Sequence, residues 1–144
     1  MDWISRLLSR RKPPRGALED KTKELIRLLT WQDFELFVDI LFSKSGWIRV
    51  SQAGKTMKDI DIELVLPITG ERALVQIKSS TAQAELDECA EILQTYSSDR
   101  LFYVYHQPTH LLDNRHDNLH LMNIDVLADA ALRIGLIDWL IEKI

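Results

Sequence analysis

A mixed β-sheet of about five strands with α-helices on both faces is the fold class this sequence predicts, and three observations predict it. Residues 59–66 (Asp-Ile-Asp-Ile-Glu-Leu-Val-Leu) alternate polar and apolar, the period of a half-buried strand. Leu101 to Tyr105 is a β-prone, mostly apolar run, the pattern of a central strand. The segments around these runs carry apolar residues at helical spacing. A chain of 144 residues can bury one proper core around such an arrangement without disulfides or a structural metal.

Taken in order, a first helix is expected over 18–29, from Leu18, Leu25, Ile26, Leu28 and Leu29. Thr30 and Asp33 then form a Ser/Thr-x-x-Asp/Glu cap for a second helix. Its buried stripe is Phe34, Phe37, Val38, Leu41 and Phe42, and it ends by Gly46. A short strand over 47–51 and a loop over 52–58 lead into the alternating run. Pro67 to Gly70 supplies a turn, and residues 72–78 return as the second strand of a hairpin. A helix over 82–97 carries Leu86, Cys89, Ala90 and Leu93 inward, with Ser80 or Thr81 as its expected cap. After the 101–105 strand come a strand at 119–124, a helix capped by Asp125 that stops at Gly135, and a last amphipathic helix over 136–144.

Composition narrows the class further. Hydrophobic residues at 46%, charged at 28%, and only 5 Gly and 4 Pro exclude disordered, collagen-like and low-complexity chains. A single cysteine, Cys89, excludes an internal disulfide and a multi-cysteine zinc site. His106, His110, His116 and His120 straddle a loop with no accompanying Cys or close carboxylate pattern, so no zinc site is expected there. No apolar run approaches the ~20 residues of a membrane helix, and a cytoplasmic location is expected. Residues 1–16 form a basic amphipathic segment with a local charge of +4. It precedes a single domain over 17–144 and is read as a surface helix rather than a membrane anchor. The overall charge of −4 opposes polyanion binding, but Ile40 to Lys58 holds Lys44, Arg49, Lys55 and Lys58 with no carboxylate. Salt screens charges more than ~10 Å apart, so such a patch acts locally whatever the total.

With the hairpin turning between Ile68 and Thr69, Asp61 falls opposite Gln76, and directly opposed residues share a face. One face then gathers Asp59, Asp61, Glu63, Gln76 and Lys78, and the other Ile60, Ile62, Leu64, Leu66, Ala73, Val75 and Ile77. A one-residue slip would destroy both sets. A carboxylate, an amide and a lysine on one face are suited to metal-assisted phosphodiester cleavage: Asp and Gln oxygens are hard ligands for Mg²⁺, and Lys78 would meet developing negative charge. The alternative is a solvated sheet face whose polar residues merely point outward.

Phe34-Glu35 in a helix, Gly46-Trp47 after it, Asp59-Ile60-Asp61 opening a strand and Val75-Gln76-Ile77-Lys78 closing a hairpin together resemble the Mrr-like branch of the PD-(D/E)XK nucleases. The resemblance runs from about Leu29 to Leu101. It implies a restriction-endonuclease-like fold and a metal-dependent endonuclease acting on DNA, with Mg²⁺ or Mn²⁺. It implies Asp61 as central metal ligand, Gln76 as second ligand, Lys78 as catalytic lysine, and Glu35 as the helix carboxylate that positions metal or water. Asp59 competes with Asp61 for the strand-opening role, and Asp61 is preferred because it faces Gln76. The sequence departs from the family in carrying Met57, Lys58 and Asp59 where glycines precede the Asp. Arg49, Lys55 and Lys58 lie just before the site and are candidates for phosphate contacts, a sequence-independent interaction. A domain this small leaves target choice to a homodimer, a partner protein or nucleic-acid structure. The other functional class is a catalytically inactive nuclease fold serving as a DNA- or protein-binding module.

Overall fold

In the computed structural model, which describes residue 3 and residues 15–50, 60–96 and 98–144, the chain runs α1 (Arg15–Arg27), α2 (Trp31–Lys44), β1 (Ile48–Arg49), β2 (Ile62–Leu66), β3 (Glu71–Ser80), α3 (Gln83–Thr95), β4 (Arg100–Gln107), β5 (Leu119–Met122), α4 (Ile124–Ile134) and α5 (Ile137–Glu142). The five strands form one sheet in the order β1-β2-β3-β4-β5. The β1–β2 and β2–β3 pairs are antiparallel, and the β3–β4 and β4–β5 pairs are parallel. The mixed sheet expected from the alternating and apolar runs is therefore present.

Two clusters bury the two faces of that sheet. On one, Phe34, Phe37, Val38, Leu41 and Phe42 of α2 meet Ile62, Leu64, Ala73, Val75, Ile77 and Val104, together with Ile26 and the apolar sides of α4 and α5. On the other, Leu86, Cys89, Ala90 and Leu93 of α3 cover Leu74, Leu101, Tyr103, Tyr105 and Leu119. Residues of β4 enter both clusters, which is why this strand reads as a continuous apolar run rather than an alternating one. The stripe predicted for α2 is the observed one, and Trp47, next to the glycine that ends it, turns its ring edge-on to Phe102 at 5.8 Å.

The predicted hairpin register holds: Ile62 pairs with Val75, Leu64 with Ala73 and Leu66 with Glu71. Gly70 closes the turn at φ +76°, a left-handed conformation that favours glycine, and its N–H donates to the Leu66 carbonyl at 2.8 Å. The Thr30 cap also forms, its hydroxyl accepting from Asp33 N at 3.1 Å. Thr30→Ala is expected to cost about 1 kcal/mol, read as a lower urea midpoint at unchanged slope.

Elsewhere the boundaries move for identifiable reasons. Helix α1 begins at Arg15, whose guanidinium bonds both Glu19 and Asp129 and so ties the first turn to α4. Strand β1 pairs with β2 through Ile48 and Arg49, with Val50 N donating to the Glu63 carbonyl at 2.8 Å, and it begins one residue later than the 47–51 expected because Trp47 is drawn into the core. Helix α4 is capped not by Asp125 but by Asn123, whose Oδ1 accepts from Val126 N at 3.1 Å while its amide donates to the Thr109 carbonyl at 2.7 Å. Asp125 falls in the first turn instead and pairs with Lys23 of α1 at 2.7 Å. Helix α3 has Ala82 as its cap and no side-chain capping bond. Thr81, an expected cap, is buried and bonds the Tyr103 hydroxyl. The basic segment predicted over 1–16 falls mostly outside the described residues.

Candidate active site

The site forms where the ladder between β2 and β3 stops being regular. At its start the Asp61 N–H donates to the Val75 carbonyl at 3.2 Å, although Val75 is the register partner of Ile62. The Asp61 carboxylate then takes the next ladder position, its Oδ2 accepting from Ile77 N at 2.7 Å. A side chain thus replaces β2 backbone as the acceptor for β3. This places the carboxylate against the β3 backbone between Gln76 and Lys78.

The same break reverses one expectation. Ile60 was expected on the apolar face with Ile62, but it packs with the α3-side cluster containing Leu74 and Leu86. Strict alternation ends at Asp61, so the residue before it lands on the opposite side of the sheet.

Two open hollows flank this point. One, of about 260 Å³, is lined by Glu35, Leu36, Asp39, Arg49, Asp61, Ile62 and Ile77. The helix carboxylate and the strand-opening carboxylate therefore line the same hollow. The other, of about 420 Å³, lies on the α3 side and is lined by residues that include Gln76, Lys78, Glu85, Glu88 and Tyr103. The four candidate residues are divided two and two between hollows on opposite faces of the sheet, Glu35 and Asp61 on the α2 side and Gln76 and Lys78 on the α3 side, so Asp61 does not share a face with Gln76 as the pairing predicted. Among the described residues, no three or more His, Cys, Asp or Glu side chains form a metal-ready group.

Gln76 does not belong to a solvated face. It is 9% exposed because α3 lies over it, and its Oε1 is buried with no hydrogen-bond partner among the described residues. A buried acceptor left unsatisfied costs about 1–3 kcal/mol, which makes this oxygen a candidate to meet a ligand in the hollow it lines. Lys78 Nζ lies 3.7 Å from Glu85 Oε2 of α3. Tyr103, at the same hollow, has its phenol pushed up to about 12 by burial, with the Thr81 hydrogen bond working the other way. It remains a neutral donor or acceptor at ordinary pH.

Arg49 reaches the first hollow from β1 and lies 3.9 Å from Asp39 Oδ1. Asp39 was not among the sequence candidates, although it follows Glu35 by one helical turn and so shares its side of α2. Glu85 was also missed, and no local pattern pointed to it. Lys55, Lys58 and Asp59 lie outside the described residues.

The four histidines lie apart from these hollows. His116 Nε2 is 3.3 Å from Asp87, and His120 tilts against Phe102. His106 is packed edge-on to Phe34, with its Nε2 buried and without a hydrogen-bond partner among the described residues. Burial, then the charge of Arg27, lowers its pKa below 6.5, and burial and Arg100 do the same for His120. In acid the unfolded chain therefore takes up these protons before the native one, so stability is full above 6.5 and falls as pH drops toward the lowered values. Denaturant titrations through that window are expected to show the decline, and His106→Phe to flatten it.

A five-stranded mixed sheet flanked by helices, with a strand-borne Asp, Gln and Lys at its broken ladder, is a restriction-endonuclease-like fold. The restriction endonuclease family model Mrr_cat matches residues 26–130, and the chain belongs to that family. No curated protein matches the chain. Among the described residues, no helix is long and apolar enough to cross a membrane.

Proposed function

We propose that this protein is a divalent-metal-dependent endonuclease that hydrolyses phosphodiester bonds of DNA. The observation that carries the reading is the Asp61 carboxylate bonded to Ile77 N, between the Gln76 and Lys78 of a Q-x-K strand. The chemistry of the donor set fits a hard cation such as Mg²⁺ or Mn²⁺. Among the described residues, Asp61 uses only Oδ2 in its hydrogen bond, Glu35 shares its hollow, and Gln76 offers a buried carbonyl oxygen with no other partner. Asp61 and Glu35, which share one hollow, would hold the ion, with Gln76 brought in from the α3 side of the broken ladder; when bound the ion supplies positive charge for the phosphate oxygens and acidifies water.

The remaining roles fall to the chain's own cations. Lys78 sets an ammonium beside the ligand strand, where it stabilises negative charge developing on the phosphate and would orient attacking water. Arg49 reaches the hollow of Glu35 and Asp61 from an edge strand, placed to hold a backbone phosphate. Phosphate contacts of this kind do not read sequence, so target choice rests on a second copy of the chain, a partner or DNA structure.

The test is a cleavage assay on duplex, nicked, branched and single-stranded substrates with Mg²⁺ or Mn²⁺, beside a chelator control and Asp61→Asn. Metal-dependent cleavage lost in the variant is expected. No cleavage of any form with either metal would leave a nuclease fold that binds without cutting.

A further inference from the structure

We propose that Glu85 is a positioning residue for Lys78, holding the lysine ammonium over the hollow lined by Gln76. The kinetic half of this inference rests on the nuclease reading above. The structural half does not.

Glu85 Oε2 lies 3.7 Å from Lys78 Nζ, the one ion pair Lys78 makes among the described residues. The two groups come from different elements, the lysine from β3 and the glutamate from the first turn of α3. The placement of that turn does not rest on core packing alone. Gln83 makes a two-point pairing with the backbone of Asp113: its Nε2 donates to the Asp113 carbonyl at 2.6 Å, and Asp113 N donates to its Oε1 at 3.0 Å. This clamp fixes the start of α3 against the loop before β5. Behind the first turn, Leu86 is fully buried against the sheet. Glu85, between the clamp and the core anchor, is held facing the lysine.

A lysine carries a compact charge on a flexible four-carbon stem, and its ordering costs rotamer entropy. A partner that restricts it before substrate arrives removes part of that cost from the reaction. Tyr103 cannot take this role as an anion, because burial keeps its phenol neutral and its hydroxyl is engaged by Thr81. Glu88 and Glu91 line the same hollow but form no ion pair with Lys78.

The pair is 37% and 46% exposed, so it adds little to stability, and Glu85 variants are expected to fold. The competing account is that Glu85 only complements the N-terminal dipole of α3. In that case its loss would leave Lys78 unaffected.

The experiment has two arms on the full chain. In the first, without metal or nucleic acid, an amine-acylating reagent is applied and modification of Lys78 is followed by peptide mass spectrometry. Glu85→Gln and Glu85→Ala are expected to change the Lys78 rate several-fold. Asp87→Asn, which removes another carboxylate of the same helix, is expected to leave it unchanged. Equal Lys78 rates in wild type and Glu85 variants would overturn the proposal. In the second arm, Glu85→Gln is expected to lower kcat on DNA about tenfold with KM within about twofold. Glu85→Asp should recover part of the loss, and Glu85→Gln should add nothing in a Lys78→Ala background. Additive losses would overturn positioning through Lys78. Wild-type protein that cuts no DNA would overturn the nuclease reading, and the labelling arm would still decide the pair.

Discussion

Asp61→Asn is expected to lower DNA cleavage by roughly 10²–10³-fold while leaving the fold close to wild type, the rate equivalent of several kcal/mol of lost charge stabilisation. The asparagine carbonyl still accepts from Ile77 N, so the bond that completes the ladder survives in neutral form. Asp61→Ala is a different experiment. It removes the acceptor of an N–H on a residue only 5% exposed, and a buried donor left unpaired costs about 1–3 kcal/mol. The two variants should therefore be equally inactive and unequally stable. Urea unfolding of both beside a plasmid-nicking assay checks this. Wild-type nicking by the asparagine variant would remove Asp61 from the site, and equal stability of the two would remove the ladder role of its carboxylate.

Gln76→Leu should separate stability from activity. The leucine replaces a buried amide oxygen that has no partner among the described residues with apolar surface beside Tyr103 and α3, and a gain of about 1–2 kcal/mol is expected. In a domain of this size that raises Tm by roughly 2–8 °C. Cleavage should be lost, because the second oxygen donor is gone. Gln76→Glu should do the reverse: it retains a donor but adds negative charge to a hollow already lined by Glu85, Glu88 and Glu91. Its Tm is expected to fall without metal and recover on adding Mg²⁺ more steeply than that of wild type. A leucine variant no more stable than wild type would show that the amide oxygen carries no penalty, and would remove the argument that it is kept for a ligand.

Both predictions turn on residues whose identity was legible in the sequence and whose surroundings were not. The hairpin register followed from the alternation of 59–66 against 72–78, because a slip would have put every apolar side chain on the wrong face. Thr30 as a cap and Gly135 as a helix stop were legible for the same kind of reason. Each is decided by backbone within a turn of it, with Thr30 accepting from Asp33 and Gly135 N bonding Ala131 at 2.9 Å. Asn123 was not legible as a cap, since its second bond reaches a Thr109 carbonyl across the loop before β5. Asp125 looked equally good locally and lost to that long-range anchor.

The candidate site residues divide along the same line. Glu35, Asp61, Gln76 and Lys78 were found as residue types in order. Periodicity placed Asp61 and Gln76 on one shared face, but only the folded chain shows how the side chains depart from it. The carboxylate of Asp61 turns to the β3 backbone and the hollow of Glu35, and Gln76 is buried under α3. Glu85 faces Lys78 only because β3, α3 and β4 form a parallel crossover that lays the helix over the strand. By itself, then, the sequence determined which segments are helix and strand, how the hairpin pairs and which polar residues belong to its strands, because those depend on spacings of a few residues. The tertiary structure alone decided which oxygen is buried without a partner among the described residues, which carboxylate completes the ladder and which glutamate meets the lysine. Those outcomes depend on contacts between elements that no local period encodes.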